Sequence, residues 1–261
     1  MQVGQHKSYD GDRLVWNWQL DRMYYPNWDK LVEKLRSDDI RVLTYINPYF
    51  SMPPERAMKF DSGYRNLYQE GIDNGYFVQA PEGESGAYKL LSGSIQFCML
   101  DTSNPAARVW MKGIIKETLI KNVSSSGFMA DFGEYLPFDA TLYDSTAVAS
   151  EYHNRYPEEW AKVVAEAVEE AHQERRLQPI QIDIPTPSSV PIVGNEKGRG
   201  ISKHTKGEDD EFMYFMRSGW MRSPSLKNLV FWLGDQMVSW DQHDGIKSVI
   251  VAALSGTANQ V

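Results

Sequence analysis

Four short apolar runs, each followed by polar or turn-forming residues, constrain the fold of this chain more than any other feature of its sequence. Such runs are typical of strands that a parallel sheet buries on both faces. The predicted strands are residues 41–47, 128–131, 212–217 and 229–235, and helical patterns precede the first three over residues 28–38, 104–121 and 157–173. This alternation predicts an α/β fold with a parallel sheet.

Two further segments do not follow the alternation. Residues from about 49 to 96 are rich in Gly, Tyr and Glu and are too many for a plain connection, so they predict an elaborated loop. Residues from about 173 to 210 are rich in Pro and Gly and contain almost no aromatic side chains. This composition predicts a disordered, low-complexity insert that is peripheral to the core or arises from an error of gene prediction.

Charge and cysteine content exclude several classes of function. The 261 residues carry 27 Lys and Arg against 35 Asp and Glu, a net charge of −8, which offers no basic surface to nucleic acid or to an anionic membrane. The single cysteine, Cys98, excludes an internal disulfide framework and a cysteine-based zinc site. The first seven residues lack an apolar signal region, and the longest apolar run, residues 249–254, is too short to span a bilayer. We therefore expect a cytoplasmic protein with no nucleic-acid or membrane partner.

Two aspartates, Asp131 and Asp235, each end one of the apolar runs. In α/β barrels the catalytic side chains project from the carboxyl ends of the strands, which makes both residues candidates for chemistry. An acidic residue after a strand is equally typical of a helix cap or a turn. Two carboxylates on neighbouring barrel strands suit hydrolysis of a glycosidic bond, where one attacks the anomeric carbon and the other protonates the leaving oxygen.

Aromatic side chains surround the predicted strand ends. A sugar presents C–H surface that packs against aromatic faces, although burial in the core accounts for any one of these residues equally well. The residues concerned are Trp16, Trp18, Tyr49, Trp232 and Trp240.

Three segments resemble the catalytic motifs of one enzyme family, in the order in which that family carries them. Residues 127–137, GFMADFGEYLP, are similar to the nucleophile motif of the sulfoquinovosidase branch of glycoside hydrolase family 31. Residues 232–236, WLGDQ, resemble the acid/base segment, and residues 215–219, FMRSG, resemble the preceding strand with its arginine. Residues 42–49 and 100–105 continue the resemblance, which leaves only the insert and the termini outside it.

The resemblance also extends to residues 12–18, DRLVWNW, which are similar to the loop whose arginine and tryptophan contact a sulfonate in this branch. It implies these roles for Arg13 and Trp16. A sulfonate is a permanent anion at neutral pH, and arginine keeps its charge and has a fork geometry suited to oxyanions. Without the neighbouring motifs, Arg13 is interpreted as an exposed surface arginine.

The resemblance implies a retaining hydrolase of α-sulfoquinovosides with a small-molecule glycoside as substrate. Asp131 is then the nucleophile and Asp235 the general acid and base. The chemistry of the family requires no cofactor and no metal. The implied substrate-binding residues are Arg13, Trp16, Arg217, Trp232 and Gln236.

The chain departs from the family in its number of strands, because a member has a complete TIM (β/α)8 barrel with eight. We expect a truncated member in which residues 1–261 form a partial barrel of about four of the eight strand–helix units, interrupted by the insert. Two alternatives stay open. One is an α-glucosidase or α-xylosidase of the same family, and the other is an inactive fragment that at most binds sugar.

Overall fold

The computed structural model describes residues 14–92, 95–177, 212–217 and 232–258, and these residues form six helices and six strands. The helices are α1 (Trp28–Ser37), α2 (Glu55–Phe60), α3 (Leu67–Asp73), α4 (Pro105–Ile114, continued by a π-helical segment, Ile115–Asn122), α5 (Ala149–Leu177) and α6 (Ile246–Ala258). The strands are β1 (Leu43–Ile46), β2 (Tyr49–Phe50), β3 (Leu90–Ser92), β4 (Ile95–Met99), β5 (Gly127–Ala130) and β6 (Met213–Met216).

Strands β1, β5 and β6 form a parallel sheet in the order β1-β5-β6. Ile46 pairs with Ala130, which pairs in turn with Met216, so the three strands end at the same level. The next residues along the chain are Asn47, Asp131 and Arg217. The register therefore places polar side chains side by side at the carboxyl edge of the sheet, and the first three predicted strands are confirmed.

The fourth predicted strand is wrong over its described part. Residues 232–235 have no regular secondary structure, and residues 229–231 lie outside the described part of the chain. Gly234 has a φ of +104°, a conformation that does not continue a strand. The backbone N–H of Trp232 still donates to the carbonyl oxygen of Met216 at 3.1 Å, so this segment begins beside the end of β6.

The region predicted as an elaborated loop contains ordered structure. Strands β2, β4 and β3 form an antiparallel sheet in that order, and helices α2 and α3 lie between β2 and β3. Aromatic residues join this region to the rest of the core, since the Phe50 ring lies 5.3 Å from that of Phe77 and 4.9 Å from that of Trp110 on α4.

Helix α4 begins as predicted, at a capped amino end. The Asn104 side chain accepts from the backbone N–H of Ala106 at 2.9 Å, and Pro105 occupies the first turn, where no backbone donor is needed. The predicted helix 104–121 is confirmed, with the difference that its second half is π-helical.

Helix α5 is longer than predicted at both ends, because it begins eight residues before Pro157 and ends at Leu177 rather than at residue 173. Its apolar face, which includes Tyr156, Trp160 and Val164, is buried. Residues 173–177 of the predicted insert are thus helical, which corrects that boundary. The remainder of the insert, residues 178–210, lies outside the described residues.

Ion pairs connect α5 to α4 and its π-helical continuation. Lys112 Nζ lies 2.5 Å from Glu170, and Lys116 Nζ lies 2.9 Å from both Glu170 and Glu174. At the other end of the interface, Arg108 pairs at 2.9 Å with Glu159, a buried carboxylate. The helix pair is therefore joined by charge at its margins and by apolar contacts at its centre. No helix in the described residues is long and apolar enough to cross a membrane.

Glycine is required at residue 127, where β5 lies against β6. A Cβ at Gly127 would lie 1.9 Å from the backbone carbonyl oxygen of Met213 and 2.7 Å from the Leu43 side chain. We expect Gly127→Ala to lower the free energy of unfolding by about 1–3 kcal/mol, because a strand backbone has to shift. Gly113→Ala is the matched control. Its Cβ would meet nothing within 4 Å inside α4, so we expect a gain of about 0.5–1 kcal/mol. Urea unfolding of the three chains measures both effects, and equal stabilities would contradict this packing.

Candidate active site

Asp131 is a buried carboxylate at the carboxyl edge of the parallel sheet. It is the first residue after β5, and its backbone N–H donates to the carbonyl oxygen of Ile46 at 2.8 Å, which continues the pairing with β1 by one step. Only 5% of the residue is exposed. Its Oδ2 accepts from the hydroxyl of Tyr45 at 2.5 Å, and its Oδ1 lies 3.4 Å from Nε of Arg217. One side-chain oxygen thus faces each of the two flanking strands.

Arg217 follows β6 and is the positive charge of the site. Its guanidinium carbon lies 4.2 Å from the centroid of the Phe132 ring and 5.6 Å from that of Trp232. Phe132 has a φ of +56° and Gly133 a φ of +114°, so the chain turns sharply directly after Asp131. A positive φ is uncommon for a phenylalanine and is found where the surroundings impose it. The turn brings the aromatic face of Phe132 against the guanidinium, an arrangement that favours the cation.

Glu134 is the second acidic partner of Arg217, with its Oε1 2.6 Å from Nη2. Burial raises the pKa of Glu134, while the charge of Arg217 opposes the rise. For Arg217, burial lowers the pKa, but the charges of Glu134 and Asp131 outweigh it and the net pKa is raised. The guanidinium therefore stays charged between two carboxyl groups.

Two buried tyrosines lie beside these charges. The pKa of Tyr45 is raised well above its ordinary value, first by burial and then by its hydrogen bond to Asp131, so its hydroxyl is a proton donor across the usual pH range. The pKa of Tyr49 is raised by burial and then by the charge of Glu134.

Buried polar atoms without a hydrogen bond are concentrated around Asp131 and Arg217. Buried polar atoms in proteins nearly always have a hydrogen-bond partner, and clustered exceptions indicate a site that a ligand completes. The Arg217 contacts have the distances of ion pairs without satisfying hydrogen-bond geometry. Six buried side-chain atoms of the described residues lack a hydrogen bond, and five of them belong to this site: Tyr49 Oη, Asp131 Oδ1, Glu134 Oε2, Arg217 Nε and Arg217 Nη2. In the same described ranges, no group of three or more His, Cys, Asp or Glu residues is arranged to hold a metal ion.

The structure brings together three of the predicted site residues, Asp131, Arg217 and Trp232. Trp16 lies behind them in the core, 6% exposed, with its ring centroid 6.3 Å from that of Phe132. Arg13 lies outside the described residues.

Asp235 and Gln236 lie on the segment that follows Trp232. The side chain of Asp235 is exposed. Gln236 Nε2 donates to the carbonyl oxygen of Leu233 at 2.6 Å, so its amide stabilises the local turn in this structure. The roles of both residues stay predictions.

Sequence reasoning missed Tyr45, Asn47 and Phe132. Asn47 ends a predicted strand, as Asp131 does, so the positional rule that selected Asp131 also selects it. Tyr45 is hidden within an apolar run. Its neighbour in the sheet is Met129, which points to the same face as Asp131, but that pairing is known only once the strands are aligned.

Comparison with known proteins gives concordant results. Residues 4–259 match the family model described as the glycosyl hydrolases family 31 TIM-barrel domain. The chain is 31% identical over 245 residues to the sulfoquinovosidase of Escherichia coli (strain K12) and 29% identical over 253 residues to that of Agrobacterium fabrum. It is similar, with a TM-score of 0.67 and 31% identity, to the solved structure of a GH31 family sulfoquinovosidase from E. rectale in complex with the aza-sugar inhibitor IFGSQ.

These matches cover nearly all of this chain and less than a third of each relative. The match to the E. coli protein covers 94% of this chain and 29% of that protein. The match to the Agrobacterium protein covers 97% of this chain and 31% of that protein, and the match to the E. rectale structure covers 95% of this chain and 30% of that structure. The chain therefore spans about 30% of the length of the curated relatives it matches. The matched barrel model and the open parallel sheet of the described residues confirm the predicted partial TIM barrel.

The raised pKa of Glu134 predicts a pH dependence of stability. Between 4.5, the ordinary pKa, and the raised value, residue 134 binds more protons in the folded chain than in the unfolded chain. Its contribution to the free energy of unfolding is therefore complete at low pH and is lost as the pH rises through that window. Relative to Glu134→Gln, which has no such proton, the wild-type chain should lose stability as the pH rises from 4.5 through the raised pKa.

Urea unfolding at a series of pH values measures this difference. Glu55→Gln is the control, because Lys59 lowers the pKa of the exposed Glu55 and the sign of the pH dependence is reversed there. Wild-type and Glu134→Gln curves that stay parallel across the window would contradict the effect.

Proposed function

Because the chain belongs to glycoside hydrolase family 31, we propose that it acts as a retaining glycoside hydrolase on α-sulfoquinovosides, with Asp131 as nucleophile and Asp235 as general acid and base. The observation that carries the proposal is the buried Asp131 carboxylate at the end of a parallel strand, in a cluster of buried polar atoms that lack a hydrogen bond. Barrel enzymes place their reacting groups at this end of the strands.

The reaction proceeds in two displacements. An oxygen of Asp131 attacks the anomeric carbon while Asp235 gives a proton to the departing glycosidic oxygen, which produces a glycosyl ester and an alcohol. Asp235 then takes a proton from water, whose oxygen attacks the same carbon and releases the Asp131 carboxylate. Arg217 supplies a fixed positive charge next to the nucleophile, 3.4 Å from Oδ1.

The position of Asp235 supports its role as proton carrier. It follows Trp232 by three residues, and the Trp232 ring lies beside Arg217, which holds this segment at the edge of the site. After it has protonated the leaving oxygen, Asp235 is a carboxylate, which is the form that takes a proton from water in the second step. The side chain of Asp235 is exposed, so the attacking water can reach it.

The substrate class is supported by the segment around Trp16. Its backbone is fixed by two hydrogen bonds with Ser51, one at 2.7 Å to the hydroxyl and one at 2.9 Å from the Ser51 N–H. Through Phe132 the Trp16 ring adjoins the wall of the site. Arg13 precedes Trp16 by three residues in the sequence. The sulfoquinovosidases of E. coli and Agrobacterium fabrum support the same substrate class.

Substitution of the nucleophile tests the reaction. We expect Asp131→Asn to lower the turnover of an aryl α-sulfoquinovoside by at least roughly 10³-fold, because no covalent intermediate can form. Asp235→Asn should slow substrates with poor leaving groups most, since good leaving groups depart without a proton. Asp139→Asn, an exposed aspartate of the same loop, is the control and should keep wild-type activity. A folded wild-type chain that sulfoquinovose stabilises against heat without any turnover would favour a sugar-binding protein instead.

Substitution of Arg13 tests the substrate class. We expect Arg13→Ala to reduce the ratio of kcat/KM for α-sulfoquinovosides over α-glucosides by roughly 10- to 100-fold, the loss of a charge-assisted contact to the sulfonate. Arg22→Ala is the control, since Arg22 forms an exposed pair with Asp29 at 2.9 Å. An unchanged ratio, with α-glucosides or α-xylosides turned over equally well, would support a different specificity within the family.

A further inference from the structure

We propose that Tyr45 is a positioning residue for Asp131 and that Asn47 sets the direction of its hydrogen bond. This role rests on the proposed function of Asp131 as nucleophile. It is carried by a chain of three directed hydrogen bonds at the carboxyl end of β1.

The chain of hydrogen bonds begins at the backbone. The N–H of Tyr49 donates to Oδ1 of Asn47 at 2.9 Å, which fixes the orientation of the amide. The Asn47 Nδ2 group therefore faces the hydroxyl of Tyr45 and donates to it at 3.2 Å. A tyrosine hydroxyl has one proton, and here the oxygen already accepts from an amide. That proton is directed to the remaining neighbour, Oδ2 of Asp131, at 2.5 Å.

The environment of Tyr45 keeps this arrangement rigid. The strand register pairs Tyr45 with Met129, two residues before Asp131, so the tyrosine and the aspartate share a face of the sheet. On the other side, the Trp18 ring lies 6.1 Å from that of Tyr45, and its indole N–H donates to the Tyr49 carbonyl oxygen at 3.0 Å. The strand pairing and the contact with Trp18 therefore hold the Tyr45 hydroxyl next to the Asp131 carboxylate.

A bond of this kind affects the two displacements differently. It restrains rotation of the Asp131 carboxyl group in both steps, which favours attack at a defined angle. A hydrogen bond to a carboxylate is stronger than one to a neutral ester oxygen. The Tyr45 bond therefore strengthens as the ester is hydrolysed and Asp131 is released as an anion, so Tyr45 should contribute most to the second displacement.

The test uses the full chain and an aryl α-sulfoquinovoside with a good leaving group, for which the second displacement limits turnover. We expect Tyr45→Phe, which keeps the ring, to lower kcat roughly 10- to 100-fold while KM stays unchanged or falls. Asn47→Asp keeps the Tyr45 hydroxyl but offers it a competing acceptor, and it should lower kcat in the same direction. Tyr88→Phe is the matched control, because it removes a tyrosine–aspartate hydrogen bond of 3.1 Å to Asp139 outside the site.

A second measurement does not depend on turnover. A short hydrogen bond between Tyr45 and Asp131 should give a hydroxyl proton resonance far downfield in the proton NMR spectrum. It should be present in the wild-type chain and absent from Tyr45→Phe and Asp131→Asn. Thermal melts establish whether each variant is folded. If Tyr45→Phe does not fold, the kcat of Asn47→Asp is used to test the role of Tyr45.

The possible results separate the two proposals. An active wild-type chain with Tyr45→Phe within twofold of its kcat, or a downfield resonance that persists in Tyr45→Phe, would overturn the role of Tyr45 alone. A folded wild-type chain that turns over no α-glycoside would overturn the proposed function and this role with it. Loss of kcat in Tyr45→Phe and Asn47→Asp, with Tyr88→Phe unaffected, would establish it.

Discussion

A carboxylate removed from water requires compensation, and the compensation of Asp131 organises the carboxyl edge of the sheet. Burial of an isolated charge is costly unless hydrogen bonds and opposite charges replace the lost solvent. Here the Tyr45 hydroxyl and the Arg217 guanidinium take that place, one from each flanking strand. Each introduces a further requirement. Arg217 is balanced by Glu134 and stacked on Phe132, while Tyr45 is oriented by Asn47. The unusual backbone after Asp131 serves these requirements, since that turn brings Phe132 to the guanidinium.

The parts of the structure that depend on local pattern could be predicted from the sequence. The parallel strands β1, β5 and β6 have long enough apolar runs to be found, and helix α4 has a capped start at Asn104. The placement of Asp131 and Arg217 at strand ends follows from the same runs. The fourth predicted strand is wrong over residues 232–235 because an apolar run does not reveal the positive φ of Gly234, which a regular strand does not contain.

The features that depend on tertiary contacts could not be predicted. The contact between Tyr45 and Asp131 joins residues 86 apart in the sequence and requires the strand register. The carboxyl end of α5 extends past the predicted boundary because Glu174 pairs with Lys116 on another helix, and a local reading of composition contains no such partner. The pairing of Glu134 with Arg217 likewise requires β6 to lie next to β5. In each case the deciding neighbour is distant along the chain.

The ion pairs between α4 and α5 do not all restrict the alignment of the two helices to the same degree. Lys112 and Lys116 each lie between glutamates spaced by four residues, so a slip of one helical turn towards the carboxyl end of α5 would leave Lys112 between Glu170 and Glu174 instead of Glu166 and Glu170. Repeated pairs of this kind are degenerate and cannot by themselves distinguish alignments that differ by one turn. Arg108 with Glu159 is outside the repeat, since the next glutamate facing the partner helix is seven residues further on. A slip in this direction would place Asn104 instead of Arg108 opposite Glu159 and leave the buried carboxylate without a cross-helix cation, so this aperiodic pair disfavours an alignment that the periodic pairs would accept.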